Sequence, residues 1–276
     1  MDQGKWYPKR GITSKKGDFG KVLVISGSRK YTGSPIFNAV SALRAGADLT
    51  YIITHPRAAQ VAASFAPDII TIPLADELSF SDVKKIAEES RNFDSLVIGG
   101  GLCRDLETFK VIRDLISEIE IPMVIDAEAI RALAEDKNIF SKKKAILTPH
   151  AEEFRVLSGE EISDDMENKV KRQAAELNSV ILLKGHNDII SDGKEVLMNE
   201  TGDPFMTKGG FGDTLAGITG ALLARDPERL LEAAHLAAYI NGRAGEMASE
   251  IYREGLLASD IFDLIPSVIN NELGSF

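Results

Sequence analysis

Apolar and polar positions along the chain fall into two alternating kinds of segment. Val22–Ser26, Leu49–Thr54, Leu96–Gly99, Met123–Asp126, Ala145–Thr148 and Val180–Lys184 are short, nearly unbroken apolar runs. Continuous apolarity, rather than apolarity at every second residue, marks strands covered on both faces. Between them, Pro35–Ala45, Asp82–Ser90, Leu106–Ile116 and Glu167–Leu177 repeat their apolar residues at helical spacing. Such alternation predicts βαβ units: an α/β fold with a mostly parallel central sheet and helices on both faces.

Beyond Lys184 the pattern changes. Asp188–Ser191 and Glu195–Met198 flank Asp192-Gly193, a dipeptide suited to a hairpin turn. A long helical region is expected from about Asp213 to Ser249, broken near Arg225-Asp226-Pro227. Leu215, Ile218 and Leu222 give its first part an apolar face. Leu230, Ala234, Ala237 and Ala238 give the second part a narrow face suited to close packing. A last short helix is expected over Asp260–Ile269. The acidic stretch Glu160–Glu167 and the basic Lys142–Lys144 are expected in solvent. No repeat, low-complexity segment or Pro/Gly/Ser-rich linker divides the chain, so residues 1–276 read as one domain.

Charge and composition then remove function classes. Lys plus Arg number 32 against 42 Asp plus Glu, a net charge of −10, which disfavours a nucleic-acid partner. No apolar run approaches the ~18 residues of a membrane span, and Met1-Asp2-Gln3-Gly4-Lys5 lacks the apolar core of a secretory leader. A cytoplasmic protein is expected. Cys103 is the single cysteine, so no intrachain disulfide forms, and with four histidines a structural zinc site is not expected.

Five segments carry candidate chemistry. The strongest runs from Asn199 to Asp213, with Gly209, Gly210 and Gly212 just before the expected helix. Such a turn aims free backbone N–H groups at one point, and the positive helix end suits a phosphate or developing oxyanion. Asp213 at that end is either functional or a helix cap. In Val180–Asp188 a buried strand ends in Lys184-Gly185; Lys184 faces either a phosphate or solvent. Ligands in open α/β sheets bind outside the carboxyl ends of strands. In Ile146–Phe154, His150 follows a strand as a ligand contact or a structural histidine, and Glu152 and Glu153 suit a helix N-terminus. Gly99, Gly100 and Gly101 form either a close ligand approach or a plain turn. The fifth is Gly17-Asp18-Phe-Gly20 before Val22–Ser28, with Tyr31-Thr-Gly-Ser-Pro35 opening a helix. Neither a Gly-x-Gly-x-x-Gly fingerprint nor a Gly-x-x-x-x-Gly-Lys-Ser/Thr loop occurs there.

Together, in this order, the segments resemble the NAD(P)H-hydrate dehydratase family, whose fold is ribokinase-like. The resemblance rests on Lys16–Ser28, Tyr31–Pro35, Ala42-Leu-Arg-Ala-Gly-Ala-Asp48, Ile98-Gly-Gly-Gly-Leu102, Thr148-Pro-His-Ala-Glu-Glu-Phe154, Leu183-Lys-Gly185, Thr201-Gly-Asp-Pro204 and Gly210-Phe-Gly-Asp-Thr-Leu-Ala-Gly217, covering about residues 14–268. Departures are Gly100 where the family usually has proline, Cys103 where it often has glycine, His186-Asn187-Asp188 for a smaller Gly/Thr-rich stretch, and Phe211 for a small residue.

The resemblance implies a repair lyase acting on NADH or NADPH that carries an added hydroxyl at carbon six of the nicotinamide ring. That hydroxyl, in the S epimer, is phosphorylated from ADP or ATP and expelled as phosphate, leaving AMP or ADP and intact NAD(P)H. Asp213 is the implied general base. Gly210, Phe211 and Gly212 are the implied anion hole. Lys184, Gly185, His186, Asn187 and Asp188, with Gly212, line the nucleotide, and Ala39, Gly101, His150 and Asp213 touch the hydrated dinucleotide. Mg2+ bridges phosphates, with ligands the sequence does not identify. A homotetramer is implied. No epimerase domain is expected in front, which looks more like ADP-using prokaryotic relatives, although Ala45-Gly-Ala-Asp-Leu49 also resembles ATP-using eukaryotic ones; ADP is expected. The alternative is a ribokinase-like kinase of a small molecule such as a vitamin precursor, using the same Asp and anion hole. A non-catalytic nucleotide-binding regulator is a third reading, against which the retained Asp213 argues.

Overall fold

The computed structural model describes residues 6–140, 143–161 and 164–273, so the expectations on Met1–Lys5 and on Lys142 lie outside the described residues. The chain runs β1 (Lys21–Ile25), α1 (Ser34–Arg44), β2 (Leu49–Thr54), α2 (Pro56–Phe65), β3 (Ile70–Pro73), α3 (Phe80–Ser90), β4 (Ser95–Ile98), α4 (Leu106–Glu118), β5 (Met123–Ile125), α5 (Ala127–Leu133) and β6 (Ala145–Leu147). It continues with α6 (Ala151–Ser158), α7 (Met166–Leu177), β7 (Val180–Leu183), β8 (Asp188–Ser191), β9 (Val196–Asn199), α8 (Phe211–Arg225), α9 (Leu230–Tyr252) and α10 (Leu264–Val268). All nine strands join one sheet in the order β3-β2-β1-β4-β5-β6-β7-β8-β9. Pairings from β3 to β7 are parallel, and β7–β8 and β8–β9 are antiparallel.

The fold is α/β in three layers, because the central strands are apolar on both sides. Val22 and Val24 of β1, with Val97, Val124 and Ile146, face α1, α2, α8, α9 and α10. Leu23 and Ile25, with Leu96, Ile98, Ile125 and Leu147, face α3 to α7. Each such side chain taken fully out of water contributes roughly 1.5–3 kcal/mol before the cost of ordering it.

Strand order reverses between β1 and β4. In open α/β sheets the crevice for a ligand opens at the carboxyl ends of the strands at such a reversal. Here the two strand ends are tied together: Gly27 N–H and the Ser26 hydroxyl both donate to the Gly100 carbonyl, at 2.8 and 2.7 Å. Gly99 has φ 133°, and a Cβ there would lie 1.8 Å from the Asp126 carbonyl oxygen. Helix α8 packs closely against α1 because Gly217 has no side chain; a Cβ would sit 2.2 Å from the Asn38 carbonyl of α1.

The six expected strands correspond to β1, β2, β4, β5, β6 and β7, and the hairpin to β8 and β9 around Gly193. Three elements have no counterpart in the sequence reading: α2, β3 and α5. β3 has four residues, ends in Pro73 and pairs only with β2. The last helix differs as well. In place of one helix over Asp260–Ile269 there is a short 3-10 turn (Ala258–Ile261), then α10, then a π turn (Ile269–Leu273). Pro266 lacks an N–H and is accepted only in a first helical turn, which forces a fresh start at Leu264. The basic stretch is not simply solvated: Lys143 donates to the Ser117 and Ile119 carbonyls at 2.6 and 2.8 Å. Among the described residues no helix is long and apolar enough to cross a membrane.

Candidate active site

Helix α8 begins at Phe211, two residues earlier than expected, with Gly210 as N-cap at φ 103°. Asp213 is therefore the third helical residue and does not cap; no side chain caps this helix. Its first internal bond runs from Thr214 N–H to the Gly210 carbonyl, 2.9 Å. The amides of Phe211, Gly212 and Asp213 precede that bond and have no intrahelical acceptor. They and the positive helix end suit a phosphate.

Neighbouring elements fix Asp213. The Ser34 hydroxyl at the start of α1 donates to its carboxylate at 3.2 Å, and the Asn38 amide donates to its carbonyl at 2.7 Å. A Cβ at Gly100 would strike Asp213 Oδ1 at 2.3 Å, so the departure from proline at position 100 leaves the carboxylate its place. Burial, reinforced by the nearby Asp126 charge, pushes the Asp213 pKa up to about 7 against the opposing pull of Ser34 and Lys184. A carboxylate so poised exchanges a proton near neutral pH, as a general base must.

A group of charged side chains stands beside it. Lys184, just past β7, places Nζ 2.9 Å from Asp126 Oδ1 and 4.0 Å from Glu153 Oε2. A Cβ at Gly212 would lie 3.3 Å from the same Nζ, so the lysine borders the open helix end rather than bulk solvent. Asp126, at the end of β5, also accepts from the Thr148 hydroxyl at 2.8 Å. Burial raises the Glu153 pKa, opposed by Lys184, and the surrounding carboxylates raise that of Lys184 against its own burial. Asp126 and Ser34 were not singled out in the sequence. Asp126 closes an apolar strand run just as Lys184 does, and that was the available signal.

Two clefts flank this point. The first, of about 750 Å³, is lined by Lys184, Gly185, His186, Asp188, Gly212 and the Thr201–Pro204 lip. The second, of about 790 Å³, includes Ser34, Tyr31, Gly101 and Cys103. Asp213 lies between them, next to Gly212 of one and bonded to Ser34 of the other. Cys103 is no nucleophile at neutral pH, since burial and the Glu77 charge push its thiol up to about 11.

The candidate residues separate into three groups. Phe211, Gly212, Lys184, Gly185, His186 and Asp188 line the first cleft, and Gly210 and Asp213 flank Phe211 and Gly212 at the start of α8. Asp188 is held within the protein, accepting from Gly185 N–H at 3.1 Å and the Asn199 amide at 2.9 Å, and Asn187 shares the turn without lining the cleft. His150 lines the first cleft but also caps α6, its Nδ1 accepting from the amides of Glu152 and Glu153 at 3.1 and 3.3 Å. Gly101 lies in the second cleft. Ala39 is fully buried in α1, so this structure presents no surface of it to a ligand.

A family model described as NAD(P)H-hydrate dehydratase matches residues 22–267. The chain belongs to the NAD(P)H-hydrate dehydratase family. The ADP-dependent (S)-NAD(P)H-hydrate dehydratase of Cenarchaeum symbiosum is 42% identical over 275 residues, covering 97% of this chain and 94% of that protein. The bifunctional NAD(P)H-hydrate repair enzyme Nnr of Pyrobaculum aerophilum is 43% identical over 266 residues, covering 94% of this chain and 52% of that protein. The chain thus spans about half the length of such bifunctional relatives. A ribokinase-like superfamily protein from Enterococcus faecalis superposes with a TM-score of 0.84 at 26% identity, covering 96% of this chain and 91% of the other. The fold is ribokinase-like, and the dehydratase-family motifs Gly210–Gly217, Leu183–Gly185 and Thr148–Phe154 are those that build the site around Asp213.

Proposed function

We propose that the chain is an ADP-dependent dehydratase that returns the S epimer of hydrated NADH and NADPH to the intact dinucleotide. One observation carries the reading: a buried carboxylate with a pKa near 7 stands between two clefts, beside three unpaired helix amides. ADP occupies the first cleft with its terminal phosphate at Gly212, and the hydrated dinucleotide enters through the second. The ring hydroxyl attacks the terminal phosphorus as Asp213 takes its proton. The new oxygen–phosphorus bond replaces the bond to the departing AMP. The anion hole expected at Gly210, Phe211 and Gly212 moves on by one residue because α8 starts at Phe211: the amides of Phe211, Gly212 and Asp213 receive the phosphoryl oxygens, and Lys184 steadies the charge. The ring-nitrogen lone pair then expels phosphate from carbon six, and loss of a proton from carbon five restores the reduced ring.

Magnesium fits this donor set. Asp126, Glu153 and Asp213 face the single cation Lys184, so the site carries surplus negative charge on hard oxygen donors. Asp126 and Glu153 would hold the ion, and it would neutralise phosphate charge. The ion's remaining ligands would be water and phosphate. The Cenarchaeum relative's name supports ADP over ATP as donor. The residues 1–276 act as one domain, in the cytoplasm, as a homotetramer; light scattering checks the assembly.

The test is a coupled assay. Hydrated NADH, ADP and magnesium should yield reduced-nicotinamide absorbance, phosphate and AMP in equal amounts. Phosphorylated hydrate accumulating without recovery of absorbance would mark a kinase instead.

A further inference from the structure

The second cleft carries a charge pattern that the proposed chemistry at Asp213 does not use. Arg29, Lys30, Arg57 and Arg104 line it, against two carboxylates, Glu77 and Glu128. Four cations facing two anions make a positive cleft in a chain of net charge −10. Arg104 is already spoken for: its guanidinium grips Glu128 with two bonds of 2.9 and 2.6 Å. The other three cations are different. Among the described residues no carboxylate pairs with the Arg29 guanidinium, the Lys30 ammonium or the Arg57 guanidinium. Lys30 only lies over the Tyr31 ring, 5.0 Å from its centre, and Arg57 only donates to the Arg29 carbonyl at 2.9 Å.

The loop presenting Arg29 and Lys30 is held from both sides, and Arg57 reaches it from α2. Glu77 accepts the Arg29 N–H at 2.9 Å while Arg57 holds the same residue's carbonyl. Ser28 closes the turn, its amide donating to the Tyr31 carbonyl at 3.0 Å and its hydroxyl accepting from Tyr31 N–H at 3.2 Å. Backbone held in this way places three cations without carboxylate partners along one wall of the cleft, and clustered cations of this kind recognise phosphate. A local positive cleft also draws an anionic substrate toward a protein that repels it elsewhere.

We propose that Arg29, Lys30 and Arg57 form the wall that binds the pyrophosphate bridge of the hydrated dinucleotide, so that its nicotinamide end reaches Asp213 past Ser34 and Gly101. The assignment rests on the second cleft being the entrance for that substrate. The pyrophosphate is common to the NADH and NADPH forms, so the wall serves both.

The test replaces Arg29 and Lys30 together, Arg29→Glu with Lys30→Glu, since neither side chain has a polar partner whose loss would disturb folding. Lys84→Glu, on the α3 surface beside the distant α3–α4 groove, is the charge control. The double variant should raise KM for both hydrated forms by about 10-fold or more, and leave kcat at saturating hydrate and KM for ADP near wild type. Binding of intact NADH, followed by its own fluorescence, should weaken by the same factor. Unchanged KM for hydrate, a shift in KM for ADP instead, an equal effect in Lys84→Glu, or a loss confined to the NADPH form would each overturn the assignment. If the wild type fails to turn over hydrate while NADH binding still weakens in the double variant, the proposed reaction is wrong and the pyrophosphate wall stands.

Discussion

Helices α6 and α8 both start at the carboxyl edge of the sheet, and their first turns are built in opposite ways. At α6 the His150 ring accepts from two amides, and the Glu153 carboxylate reaches back to the His150 N–H at 2.9 Å. Its donors are consumed by a capping box. With Nδ1 accepting, the ring proton sits on Nε2, where Glu153 Oε1 lies 3.2 Å away. At α8 the N-cap is glycine, no side chain closes the turn, and three amides stay open. A closed helix end stabilises the protein, whereas an open one stores binding capacity for an anion. In the structure His150 caps its helix whereas Asp213 does not cap its own, which leaves the Asp213 carboxylate available for the base role proposed above.

The largest effect is expected at Asp213. Asp213→Asn should lower turnover of hydrated NADH by about 10²-fold or more, measured as recovered absorbance, with ADP binding retained. Folding should not suffer. The folded pKa lies above the ordinary 3.8, so the native state binds the extra proton and stability falls as pH rises from about 3.8 to about 7. Asparagine removes that loss, and the variant should melt no lower than wild type at pH 8.

Changes around the open end should act less strongly. Gly212→Val places bulk against Lys184 Nζ and the incoming phosphate, and should raise KM for ADP by about 10-fold; calorimetric titration of ADP checks it. Lys184→Met removes the cation that favours ionised Asp213. It should slow turnover at pH 7 by about 5- to 10-fold, with much of the loss recovered at higher pH. The smallest effect belongs to the closed end: His150→Ala should cost about 1 kcal/mol of stability in a denaturant titration and leave kcat within a few-fold. A larger drop in kcat than in stability would return His150 to the substrate site.

Much of this contrast was legible in the chain. Continuous apolar runs gave β1, β2 and β4 to β7, because strands buried on both faces leave no polar positions. Three glycines in four positions at Gly209–Gly212 pointed to an anion-binding turn at a helix start, while leaving open whether Asp213 caps that helix. What escaped depended on partners distant in sequence. α2 is alanine-rich and β3 is a four-residue edge, so neither shows a strong period. Asp126 gains meaning only from Lys184, fifty-eight residues away. Ala39 was carried over by resemblance alone, between the quoted segments Tyr31–Pro35 and Ala42–Asp48, and its burial in α1 depends on packing that no local pattern displays.

The central claim is that Asp213, buried between the clefts, is the base, and the pH dependence of kcat/KM for hydrated NADH tests it most directly. That profile reports groups of the free enzyme. The base must be ionised, so kcat/KM should fall as pH drops, with an acid limb centred near 7, where burial places Asp213. The residual activity of Asp213→Asn, measured in the same buffers, should lack that limb and so separate it from titration of ADP itself. A wild-type limb centred near 4, or an identical limb in the asparagine variant, would contradict the account.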